Sequence, residues 1–213
     1  MKSVLRTATT VFAVALCAAG SAFAQVKYDE GTHYKRLGKA QPVETGAKVE
    51  VIEFFSFGCG HCKAFEPFLQ DWMKKAPADA QVRRIPAVFQ PGWKELGKVY
   101  YTLEAMGEEK LVPAVFDAIH TDGKRLDKPD VFFAWAASKG LDAAKVKSNF
   151  EGFAIDGKIR RAEQFSKAYD VQFVPNIYVD GKYQILADKL TGQLAGVPAA
   201  MDYLIGIARK ERK

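Results

Sequence analysis

Two cysteines three positions apart, Cys59 and Cys62 in SFGCGHCKAF, are the residues of this chain with the most evident chemistry. Such a pair can grip a metal, staple a loop or exchange electrons as a dithiol. A disulfide between them closes only a four-residue loop. Denatured-chain stabilisation grows with loop length, so this would be a poor staple. Structural zinc takes about four Cys or His ligands. Apart from the pair and the leader's Cys17, the chain offers only His33, His61 and His120. His61 lies between the cysteines and can hardly close the same tetrahedron. Covalent haem attachment needs His directly after the second cysteine, and Lys63 stands there. The reading that survives is a redox dithiol with no metal.

The neighbours suit that chemistry. An apolar run, KVEVIEFFSF over 48–57, leads into the pair, and KAFEPFLQDWMKKA over 63–76 follows with Phe65, Phe68, Leu69, Trp72 and Met73 at helical spacing. Cys59 is therefore expected at a helix start, where unpaired N–H groups and the positive dipole end favour a thiolate. The Cys62 thiol, one turn on, can donate to it, and His61 adds positive charge when protonated. A dithiol whose thiolate is stabilised gives a disulfide that is readily reduced, which makes the pair an oxidant. Glu53 lies inside the apolar run, where burial raises a carboxyl pKa and suits it to take the proton of Cys62. Arg84 is either its partner or an ordinary surface arginine.

The elements that must position these groups alternate. The stretch 26–37 reads as an edge strand, 48–57 as a buried strand, 63–76 as a helix bent at Pro67, and 81–89 as a further strand, giving a βαβ unit. Helical periodicity dominates from Trp93 to about Phe150, in stripes on Leu96, Val99, Tyr100 and Leu103, on Val112, Val115, Phe116 and Ile119, and on Val131, Phe132 and Trp135. Gly107, Gly123 and Gly140 separate them. A helix follows over about 157–169, then a hairpin over 173–186 turning at Asp180-Gly181, then a helix over 197–212 with Pro198 in its first turn. The expected class is α/β with a helical insertion: 25–90 and 156–213 form one domain interrupted by 91–155.

The front of the chain fixes the compartment. Lys2 and Arg6, a short apolar core from Val11 to Ala19 and Ala22-Phe23-Ala24 form a secretory signal peptide over 1–24, cleaved before Gln25. The core is too short for a membrane span. Cys17 leaves with the signal. The net charge of +6 for the whole chain falls when Lys2 and Arg6 go. The remaining basic residues are scattered except for Arg209, Lys210, Arg212 and Lys213, which read as complementing a helix dipole and not as a nucleic-acid patch.

VIEFFSFGCGHC, the central helical stretch and FVPNIYVDGKYQ together resemble the DsbA family of periplasmic thiol:disulfide oxidoreductases, over nearly the whole exported chain. The resemblance implies a thioredoxin fold interrupted by a helical domain, in a Gram-negative periplasm. It implies a cis Val174-Pro175 bond beside the redox-active pair and an acidic residue at Glu53 beneath the disulfide; Pro175 offers no N–H, and the backbone of Val174 is expected to pair with an extended substrate segment. Two departures bear on oxidising strength: Gly60 stands where the family commonly has proline, and Gly58 where an aromatic residue often precedes the motif.

The expected cycle begins with a Cys59-Cys62 disulfide. Thiolates of reduced, unfolded exported proteins attack Cys59, and a mixed disulfide resolves to oxidised substrate. An apolar groove beside Pro175 is expected to hold substrates loosely. The resemblance implies recharging by a DsbB-like, quinone-linked membrane oxidase, and no dissolved cofactor is required; a monomer is the default expectation. Two other classes share the features: an isomerase or reductant of similar fold, and a non-catalytic periplasmic chaperone. Isomerases of the DsbC kind usually carry an N-terminal dimerisation domain, for which the short stretch before the first core strand leaves no room.

Overall fold

The structure, a computed structural model, describes residues 27–212. The signal peptide read over 1–24 lies outside them. Five strands form one mixed sheet, built from β1 (Tyr34–Arg36), β2 (Val49–Phe55), β3 (Ala80–Pro86), β4 (Asn176–Val179) and β5 (Tyr183–Ile185) in the order β1-β5-β4-β2-β3. Only β2 and β3 run parallel. Seven helices pack around it among the described residues: α1 (Gly60–Met73), α2 (Trp93–Ala105), α3 (Val112–His120), α4 (Pro129–Ser138), α5 (Ala143–Phe150), α6 (Phe153–Ala168) and α7 (Val197–Glu211).

Every residue of β2 is buried, which explains why its sequence runs apolar without alternation. Successive side chains point to opposite faces. Val49 and Val51 join Phe65, Leu69, Met201 and Leu204 of α1 and α7, whereas Ile52 and Phe54 join the core built with α2 to α6. Burying seven strand residues between two helical layers anchors the end of β2, and with it the turn that carries the cysteines.

Several expected boundaries shift for local reasons. The stretch read as an edge strand over 26–37 contributes only Tyr34–Arg36. Before it, Gly31 at φ +82° makes a tight turn whose N–H donates to Tyr34 O, and His33 Nδ1 accepts from Asp29 N. The first helix begins at Gly60, three residues earlier than expected, and Pro67 lies within it. The central stretch divides into four helices, not three. The extra one, α5, is short and buries only Val146 and Phe150, too little to give a stripe; Asp142 caps it by accepting from Lys145 N. α6 starts four residues before the expected Gly157, and Ile155 in its first turn packs into the core. The 180–181 turn is as expected, with left-handed φ of 57° at Asp180 and 64° at Gly181. A Cβ on Gly181 would come within 2.1 Å of Gln41 O, so only glycine fits.

The basic C-terminus makes specific tertiary contacts. Arg209 Nε donates to Asp79 at 2.7 Å, and Arg212 donates to buried Asp180 and to the carbonyl of Ala47. These pairs fasten α7 to the sheet, a firmer role than the dipole complement expected of them. No helix of the described residues is long and apolar enough to cross a membrane.

Candidate active site

Where β2 ends, a tight turn delivers the chain to α1. Cys59 N donates to Ser56 O at 3.0 Å and Gly58 N to Ser56 Oγ at 3.1 Å. Cys59 is the N-cap of α1, with extended backbone at φ −100°, ψ 117°. Its sulfur therefore occupies the place of a capping oxygen, accepting from Cys62 N at 3.4 Å. Both cysteines are free thiols here, Cys59 half-buried and Cys62 buried.

The surroundings push the two sulfurs apart in acidity. The Cys62 thiol donates to Cys59, and the backbone N–H groups of Cys62 and His61 add to it; together with the nearby His61 side chain they outweigh partial burial and lower the Cys59 pKa from 9.0 to about 6. Burial, the Cys59 sulfur and Glu53 push the Cys62 thiol far up, so it stays protonated. At pKa about 6, about nine-tenths of Cys59 is thiolate at pH 7, against a few per cent for a free cysteine. His61 is exposed at the helix start.

The parallel register sets Glu53 opposite Arg84. Arg84 Nε lies 3.0 Å from Glu53 Oε2 but off the N–H axis, so the contact is an ion pair and not a hydrogen bond. The guanidinium donates instead to both oxygens of Glu66, at 2.7 and 3.3 Å. Two buried carboxyls thus share one buried cation. Burial raises the Glu53 pKa to about 7, against the pull of Arg84 and with Glu66 and Cys59 pushing the same way.

The cis Val174-Pro175 bond lies on the approach to β4. Cys59 Sγ is 3.5 Å from Val174 O and donates to it as a thiol. Of the residues expected at the site, Cys59, Cys62, Glu53 and Val174 meet by contact or electrostatic coupling, and Pro175 follows Val174 directly. Arg84 is Glu53's buried partner, not a surface arginine. Among the described residues no group of His, Cys, Asp or Glu side chains could hold a metal ion.

Sequence reasoning missed Glu66, Trp93 and His120. Glu66 had a signal: it lies four residues after Cys62, on the buried face of α1. Trp93 had none, because it reaches the turn from the start of α2. Its indole fills the space beside Gly58, where a built Cβ would lie 2.6 Å from Trp93 Nε1. The aromatic group absent before Cys59 is thus supplied from another element. His120 Nε2 lies 2.7 Å from Phe57 O, a contact between parts of the chain far apart in sequence.

Comparisons with known proteins agree with this geometry. The profile of the DSBA-like thioredoxin domain matches residues 84–195. A thiol:disulfide interchange protein DsbA of Bordetella parapertussis is 38% identical over 205 residues, 96% of this chain and 98% of its own length. A DsbA of Pseudomonas aeruginosa is 40% identical over 186 residues, covering 87% of this chain and 86% of its own. The crystal structure of Pseudomonas aeruginosa DsbA superposes with a TM-score of 0.81 at 38% identity, over 87% of this chain and 96% of that one. A buried dithiol partner, a thiolate cap and these matches give one conclusion: the chain belongs to the DsbA family of thiol:disulfide oxidoreductases and has its thioredoxin fold.

Proposed function

We propose that this oxidoreductase works as a dithiol oxidase of exported proteins, with Cys59 as the exchanging sulfur and Cys62 as the buried partner. A substrate thiolate attacks Cys59 of the disulfide; the new S–S bond joins substrate to Cys59, and the Cys62 sulfur leaves and takes a proton. A second substrate thiolate attacks the substrate sulfur of the mixed disulfide. Substrate departs with its own disulfide, and the enzyme keeps the electron pair as Cys59 thiolate and Cys62 thiol. Glu53, half-protonated near neutrality, gives Cys62 its proton in this direction and accepts it on reoxidation. His61 stabilises the thiolate, and Val174 and Pro175 meet an extended substrate segment, with Pro175 offering no competing N–H.

The observation that carries this reading is the half-exposed Cys59 sulfur on the helix N-terminus, depressed to about 6 beside a buried neutral thiol. A stable thiolate is a good leaving group from the mixed disulfide. The signal over 1–24 exports this protein to a Gram-negative periplasm, where its substrates are reduced, unfolded exported proteins; a DsbB-like quinone-linked membrane oxidase restores the disulfide, and the protein acts as a monomer. The helical stretch 91–155 is an insertion between 25–90 and 156–213, although a cut at 155 falls within the first turn of α6.

Refolding a reduced, multi-cysteine protein with this enzyme and with Cys59→Ser tests the reading. Catalysis lost in the variant supports it; catalysis retained would favour a chaperone. Equilibration with glutathione then separates oxidase from reductant, since a potential near thioredoxin's, about −270 mV, would contradict an oxidase.

A further inference from the structure

The end of α3 holds the active-site turn on both sides of the cysteine pair. His120 Nε2 lies 2.7 Å from Phe57 O, two residues before Cys59. Lys63, directly after Cys62, reaches Asp117 at 3.0 Å and Thr121 Oγ1 at 2.5 Å. A carbonyl only accepts, so His120 Nε2 must carry the hydrogen, as it does in one neutral tautomer and in the imidazolium. The ring is stacked against Phe116, with centroids 6.2 Å apart and planes at 29°. Phe57 lies between the end of β2 and the start of α1, so neither element pairs its carbonyl; α3 supplies the donor.

We infer that His120 is a positioning residue for thiol-disulfide exchange, acting through the Phe57 carbonyl to keep Cys59 in its capping geometry when the pair is reduced. The reason is an asymmetry between redox forms. In the disulfide form the Cys59-Cys62 bond itself restrains the four-residue loop. In the dithiol form that restraint is gone, and the thiolate keeps its N–H donors only while the turn holds Cys59 at the helix cap. A clasp from outside therefore stabilises the dithiol form more than the disulfide form, and favours reduction of the enzyme by its substrates. The inference rests on Cys59 being the exchanging sulfur.

The test is equilibration with glutathione, in which protein disulfide and two glutathione thiols give protein dithiol and one glutathione disulfide. His120→Leu, at an exposed position, is expected to lower that equilibrium constant about two- to tenfold, the worth of one hydrogen bond. His120→Gln, whose amide can donate from nearly the same place, should return it to within about twofold. Thr121→Val loosens the second grip without changing charge and should move the constant the same way. Denaturant unfolding should show the reduced form of His120→Leu losing more than the oxidised form. Equal losses in both forms, with the constant unchanged in all three variants, would mean His120 is merely structural and would overturn the inference. Trapping the glutathione mixed disulfide in the unaltered chain tests the underlying reading separately: glutathione on Cys62 instead of Cys59 would remove the basis for both.

Discussion

Arg84 pairs with Glu53 without hydrogen-bonding to it: Nε is 3.0 Å from Glu53 Oε2, while the two terminal nitrogens of the guanidinium donate to Glu66. This buried carboxyl, electrostatically coupled to both cysteines, is held close to a cation while its raised pKa of about 7 lets it take up a proton near neutrality.

Arg84→Met removes the one cation between two buried carboxyls. Breaking a buried pair by deleting one partner costs about 3–5 kcal/mol. Denaturant unfolding at neutral pH should show a loss of that size, shrinking in acid as the carboxyls protonate. A loss that does not change with pH would mean that cavity formation, not charge, is the cost.

Glu53 should tilt stability against alkaline pH. Its folded pKa is raised from 4.5 to about 7, so the folded chain binds more protons than the unfolded chain between those values. The stability of the neutral carboxyl is complete below about 4.5 and is lost as pH rises through about 7. Glu53→Gln should flatten this part of the pH-stability curve and slow reoxidation of the dithiol. The same slope in the variant would assign it to other groups.

Cys59 acts with the opposite sign. Its folded pKa is lowered, so it stabilises the dithiol form at high pH and loses that contribution as pH falls through about 6. The reduction potential should fall by about 59 mV per pH unit below about 6, where two protons accompany two electrons, and by about 30 mV per unit above it. At pH 7 the depressed pKa is worth about tenfold in the reduction equilibrium, or about 30 mV, as an upper bound for a half-exposed group screened by solvent. A single slope from pH 5 to 8 would contradict the thiolate assignment.

Gly58→Ala should displace Trp93, because the new Cβ would fall 2.6 Å from Nε1 and 3.1 Å from Cδ1 of the indole. Overpacking of this kind costs about 1–3 kcal/mol. Indole fluorescence should shift toward the solvent-exposed range, and Trp93→Ala in the same chain should recover part of the stability. Unchanged fluorescence would show that the turn yields instead of the ring.

The sequence carried the chemistry of this site further than its support. Cys59 and Cys62 were legible because a pair at that spacing before a helix has few other uses, and Glu53 because a charge in a strand so apolar needs a reason. Register made Arg84 its partner, and register is only visible once β2 and β3 pair in parallel. Trp93 and His120 arrive from α2 and α3, and nothing local to either residue indicates which turn it will touch. The helix expected from about Gly157 runs through that glycine from Phe153, and packing of Ile155 and Ile159 offsets a propensity cost of about 1 kcal/mol.

The most direct test is the pH dependence of alkylation of the reduced protein by iodoacetamide, read at Cys59 by peptide mass. Half-maximal reactivity should fall near pH 6, with Cys62 unmodified across the range. A midpoint at the free-cysteine value of about 8.5 would contradict the account.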